Sequence, residues 1–139
     1  MTTWSYEAFE SDRPGRAGIT ELEQRVTAKL EELGLRAQHA KVAMSNIVDG
    51  AARAVVYYPE SFINLPPLRR ISGWIKGDVN LKADYCADTE RYKEEMYEGI
   101  AALLSSLSDA QAAKSEIAAT AKKDGYATVT LWYPANVEL

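Results

Sequence analysis

The sequence predicts an α+β fold: one mostly antiparallel sheet of about four strands with helices packed on one face. Three observations predict it. Residues 78–88 alternate polar and apolar side chains strictly, and residues 126–133 set Ala127, Val129, Leu131 and Tyr133 against Tyr126, Thr128, Thr130 and Trp132, as strands buried on one face do. Two longer stretches repeat apolar residues at helical spacing between N-cap and glycine signals. Asp49-Gly50 is a turn signal between two strand-like runs.

The elements follow in order. Residues 1–18 read as an N-terminal arm, with Trp4, Tyr6 and Ala8 alternating as in a short strand before Pro14, Gly15 and Gly18 break it. Residues 19–139 read as a single α+β domain. Thr20 and Glu23 form a capping box, Leu22, Val26, Leu30 and Leu33 a stripe, and Gly34 a stop, which places helix 1 at 20–33. Residues 36–46 and 54–58 make a hairpin that ends at Pro59. The segment PESFINLPPLRR is a loop, because Pro66-Pro67 excludes helix. The chain is extended again from Ile71. Its clearest strand, 78–88, puts Val79, Leu81, Ala83, Tyr85 and Ala87 on one face. Helix 2 starts at Asp88 or Thr89 and buries Tyr92, Met96, Ile100, Leu103, Leu104 and Leu107. Ser108 and Gln111 cap an Ala-rich third helix over 110–123. The last strand, 126–133, stops at Pro134. The expected core is Leu22, Val26, Leu30, Val56, Val79, Leu81, Ile100, Leu104, Val129 and Leu131.

Composition narrows the function classes. The chain has 139 residues, 47% hydrophobic and 26% charged, with a net charge of −4. That is ordinary globular composition for one domain. Acidity gives no electrostatic case for specific nucleic-acid binding. No stretch approaches the roughly 20 apolar residues of a membrane span, and the first residues lack a signal-peptide layout. One cysteine, Cys86, points to a reducing cytosol. Cys86 and the single histidine, His39, leave little for zinc or nucleophilic chemistry. Asp78, Asp84 and Asp88 lack a closing EF-hand glutamate and read as a solvated strand face. No catalytic, cofactor-binding or metal residue is expected, and no cofactor.

The candidate site residues are therefore contacts. Trp4, Tyr6 and Phe9 of the arm dock on their own domain or on a neighbouring subunit. Phe62, Leu65, Leu68, Arg69 and Arg70 of the proline loop tuck over their own sheet or grip a partner. Aromatics and Arg are enriched at interfaces.

The order helix, strand, strand, long strand, helix, helix, strand resembles the lambda-type tail-terminator proteins of long-tailed bacteriophages. The segments that carry the resemblance are ITELEQRVTAKLEELG, ARAVVYYP, DVNLKADYCAD, TERYKEEMYEGIAALLSSL, DAQAAKSEIAATAKKDG and YATVTLWYP. The match is one of pattern over residues 19–134. The arm and the proline loop fall outside it. The resemblance implies a non-enzymatic structural protein that forms a homohexameric ring. The ring caps the tail tube, stops its elongation and joins it to the head connector. Implied partners are copies of itself, the tail tube protein and the head–tail connector protein. The implied location is the host cytoplasm during assembly, then the neck or tail of the virion. The competing expectation is an acidic immunity or chaperone-like protein that binds and masks a protein partner in the bacterial cytosol by charge complementarity.

Overall fold

The computed structural model describes residues 1–13, 15–48, 51–82, 89–118, 122–123 and 126–139. The fold is α+β, but its strands form two small antiparallel sheets rather than one sheet of four. The first sheet holds β1 (Trp4–Ser11), β2 (Lys41–Val48) and β3 (Ala51–Pro59) in the order β1-β3-β2. The second holds β4 (Arg70–Lys82), β5 (Glu116–Ala118) and β7 (Tyr126–Glu138) in the order β4-β7-β5. A two-residue strand, β6 (Lys122–Lys123), also pairs with β7. The helices are α1 (Gly15–Leu33), α2 (Thr89–Ser106) and α3 (Asp109–Lys114), with a 3-10 helix over Gly34–His39.

Helices lie on both faces of the first sheet, not one. Phe9, Ala54 and Val56 face α1 and bury Leu22, Val26 and Leu33. On the opposite face Trp4, Val55 and Tyr57 join Ile100, Leu104 and Leu107 in and beside α2, and also Leu131 of β7. The helix α2 thus fills the space between the two sheets. It touches β1 on one side and β4 and β7 on the other, and the sheets adjoin where β2 meets β5. Together the six main strands make an open arc, β1-β3-β2 then β5-β7-β4, wrapped around α2. Close approach is needed inside it. A Cβ on Gly99 would lie 2.8 Å from Val79, and one on Gly77 would lie 2.7 Å from Leu103.

Several boundaries differ from the sequence reading. The segment expected as an arm contributes β1, paired with β3 along its whole length from Trp4↔Pro59 to Ser11↔Ala52. Helix α1 begins at Gly15, not Thr20. Its first turns are organised by Ser11, whose Oγ donates to Glu21 (2.8 Å) and accepts from the Arg13 amide (3.3 Å). The chain crosses itself closely there, and a Cβ on Gly18 would stand 2.3 Å from the Arg13 carbonyl oxygen. Gly18→Ala should therefore cost about 2 kcal/mol through backbone displacement. A denaturant midpoint equal to wild type would contradict this. Gly34 ends α1 at φ 61°, as expected. Residues 34–39 are helical rather than strand, so β2 starts later, at Lys41.

The Ser108–Gln111 capping box is present, but α3 stops at Lys114 rather than at 123. Ala-rich sequence favours helix. Tertiary burial overrides that preference here, since Ile117 gains its contact with Leu131 only as a strand residue of β5. Strand β7 runs through Pro134 to Glu138. Pro134 is tolerated because it lies past the end of β5, where no ladder donor is required. Gln111 Nε2 donates to its carbonyl (3.1 Å). Of the expected core, Leu22, Val26, Val56, Ile100, Leu104 and Leu131 are buried, and Leu30, Val79 and Val129 are partly buried. The Leu81 side chain, the Asp49-Gly50 turn, and residues 83–88 with Asp84, Cys86 and Asp88 lie outside the described residues.

Candidate interaction surface

The outer side of the arc is only half covered. Helix α1 packs on β1 and β3. Val42 and Met44 of β2 stand on that same face, opposite Val56 and Ala54, yet both remain exposed. On the second sheet the inner partners of α2 are Gly77, Val79 and Leu131. Strand alternation sends Trp74, Lys76 and Asp78 of β4 to the outer face with Thr130 and Trp132 of β7. Lys76 sits directly across from Trp132, and Trp74 is its diagonal neighbour on the same face. Trp74 is 50% exposed and Trp132 40%. No described helix covers these rings.

Polar groups fix this face. Asp78 Oδ1 accepts from the Thr130 hydroxyl (2.8 Å), and Oδ2 pairs with Lys76 Nζ (3.2 Å). The Thr130 hydrogen bond and the nearby ammonium hold the Asp78 carboxyl below its ordinary pKa. The result is two tryptophans on a sheet surface beside a charged pair within β4 that is tied to β7 through Thr130. Large exposed aromatic groups of this kind are what interaction sites present.

The residues singled out in the sequence fall in different places. Trp4 and Phe9 are buried within the chain, one under α2 and the other under α1. Tyr6 packs at a tilt against Tyr57 and Tyr97, with ring centroids 6.5 and 5.5 Å apart. In the proline loop, Ile63 is the buried anchor, Leu65 packs beside it, and Phe62 is exposed. Leu65 and Arg70 meet on an open groove of about 700 Å³ shared with Asp109, Gln111 and Glu138. Leu68 is half-buried, and Arg69 is exposed with its amide bonded to the Glu138 carbonyl (2.8 Å).

The candidate contacts leave out Trp74 and Trp132. Alternation over 126–133 places Trp132 with Thr128 and Thr130 on the side open to solvent or to a neighbouring subunit, whereas no local pattern marks Trp74, which follows Gly73.

Sequence reasoning also missed Lys41. Its Nζ lies 5.7 Å from the Trp4 ring and donates to the Ala113 carbonyl (3.3 Å). Burial pushes the Lys41 ammonium down to about 8, with Lys114 adding to the effect and Glu116 opposing it. His39, at the end of the 3-10 helix, is lowered first by burial, then by Lys41 and Lys114. Trp4 Nε1 is buried with no hydrogen-bond partner among the described residues.

Among the described residues no three His, Cys, Asp or Glu side chains gather as a metal site, and no helix is long and apolar enough to cross a membrane. Compared with known protein families, characterised proteins and solved structures, the chain shows no match.

Proposed function

We propose that this chain is a self-assembling structural protein of a bacteriophage tail, a ring subunit that caps the tail tube and joins it to the head connector. What supports the assembly part of this reading is the outer face of the second sheet. Its inner side is buried on α2, while its outer side leaves Trp74 and Trp132 in water. Leaving two indoles there is costly for an isolated chain and is explained by a neighbour that covers them. The tail-specific part rests on the resemblance in element order.

Native mass spectrometry over a range of concentrations, with negative-stain imaging, tests the proposal. A closed six-membered ring is the expected species. Trp74→Ser with Trp132→Ser should weaken assembly on the order of tenfold or more and leave the circular dichroism spectrum unchanged. A monomer or dimer at every concentration, with no ring in the images, speaks against it and favours the partner-masking reading.

A further inference from the structure

Among the residues whose burial is described, the exposed aromatic ones are Phe62, Trp74 and Trp132. No ring contact joins Phe62 to either tryptophan within the described chain. They form two separate features, a rigid knob and a flat platform. Half-exposed rings of this size each leave on the order of 100 Å² in water. Covered together, they make the apolar centre of an interface that needs about 800 Å² per partner, with the polar groups around them as its rim.

Phe62 is the knob. It is 46% exposed, while its neighbour Ile63 is 2% exposed and anchors the loop in the cluster that contains Leu104. Leu65 packs beside the same cluster. The loop is tied at both ends. Glu60 N donates to the Thr3 carbonyl (2.8 Å), Arg36 to the Glu60 carbonyl (3.4 Å), and Arg69 N to the Glu138 carbonyl (2.8 Å). Pro66-Pro67 stiffens the span between them. An exposed ring on a pre-ordered loop loses little freedom when it is covered, which favours binding.

Trp74 and Trp132 are the platform, on the outer face of β4 and β7. Arg70 stands on that face too, four residues before Trp74. Each feature carries one charge that the chain leaves without a counter-ion. Glu60, exposed two residues before Phe62, accepts from the Ser5 hydroxyl (2.6 Å) and has no cationic partner among the described residues. Arg70 is exposed, and no ion pair joins it to another described residue, Glu138 across the ladder included. Lys76 and Asp78 on the same face satisfy each other and take no part. Glu60 lies at most about 7 Å along the chain from Phe62, and Arg70 about 13 Å from Trp74. The long arginine side chain spans the difference.

We infer that the Phe62 loop of one copy seats on the Trp74–Trp132 face of the next, with Glu60 against Arg70. This rests on the ring reading and names the part of the neighbour that covers the two indoles. Knob and platform are different surfaces, so the contact is heterologous. Repeated, it closes into a ring or runs on as a filament. Aromatic rings packed on aromatic rings supply affinity at the centre, and the Glu60–Arg70 pair at the rim sets orientation.

Phe62→Ser removes the knob, and Trp74→Ser with Trp132→Ser removes the platform. By native mass spectrometry each of these variants alone should lose oligomers, with apparent affinity down at least tenfold, at unchanged circular dichroism. Mixed, the two should give a dimer and nothing larger, because one intact knob meets one intact platform. Glu60→Arg and Arg70→Glu should each weaken assembly about fivefold, and the two together in one chain should restore it toward wild type. Wild-type assembly by Phe62→Ser overturns the knob while leaving the ring reading intact. A mixture with no dimer, or with larger species, overturns the pairing of the two patches. A double charge variant no better than the singles overturns the placing of Glu60 against Arg70. A wild-type chain that stays monomeric at all concentrations overturns both this contact and the ring reading.

Discussion

Leu104→Ala should destabilise the protein by about 3 kcal/mol, the middle of the range for a buried leucine truncated in a packed core. Leu104 is fully buried in the cluster that contains Trp4 of the first sheet and Leu131 of the second. The cavity would open between the sheets. The loss should therefore appear in both at once. Intrinsic tryptophan emission and far-ultraviolet circular dichroism should report one shared transition, shifted to lower denaturant. Two separated transitions would show that α2 does not couple the sheets. A loss under about 1 kcal/mol would show that the site collapses around the missing atoms.

Lys41→Met should work in the opposite direction. The depression of the Lys41 ammonium from 10.5 to about 8 corresponds to roughly 3 kcal/mol of penalty on the charged folded state. Losing the bond to the Ala113 carbonyl takes back about 1 kcal/mol. A net gain of about 2 kcal/mol is expected at pH 7, with the methionine stem kept against Trp4. The sign with pH follows from proton counts. Between pH 8 and 10.5 the unfolded chain holds the Lys41 proton and the folded chain does not, so wild-type stability rises with pH in that window. Tyr57 acts against this above pH 10. Burial, with Tyr97 and Tyr6 nearby, raises its hydroxyl, so only the unfolded chain releases that proton and stability falls. Denaturant titrations from pH 7 to 11 should show a rise and then a fall in wild type, and no rise in Lys41→Met. An unchanged rise, or a variant less stable at pH 7, would overturn the account of Lys41.

Local signals in the sequence carried the helices and most strands. The stripe Leu22–Val26–Leu33 and the stop at Gly34 located the end of α1, and the Ser108–Gln111 box located the start of α3. The failures came where distant residues decide the outcome. The start of α1 depends on Ser11 and Glu21 meeting across a turn. The end of α3 depends on Ile117 finding Leu131. The division into two sheets depends on α2 inserting between strands that alternate identically in either arrangement. Periodicity assigns a strand two faces but does not say which sheet it joins. The same limit hid the contact surface. Trp74 and Trp132 are 58 residues apart in the chain, and only the β4–β7 register puts them side by side.

The two hydrophobic clusters also set an order in time. The cluster under α1 draws all its buried residues from Phe9 to Val56, so it is complete once the first 59 residues have emerged. The cluster around α2 reaches from Trp4 to Leu131. During synthesis the first sheet can close on α1 while its other face, with Trp4, Val55 and Tyr57, has nothing to pack against. About 50 further residues must be made before α2 arrives, which at roughly 5–20 residues per second takes on the order of 2–10 s. For those seconds the nascent chain presents a folded sheet with one bare aromatic face, a substrate for holdase chaperones at the ribosome.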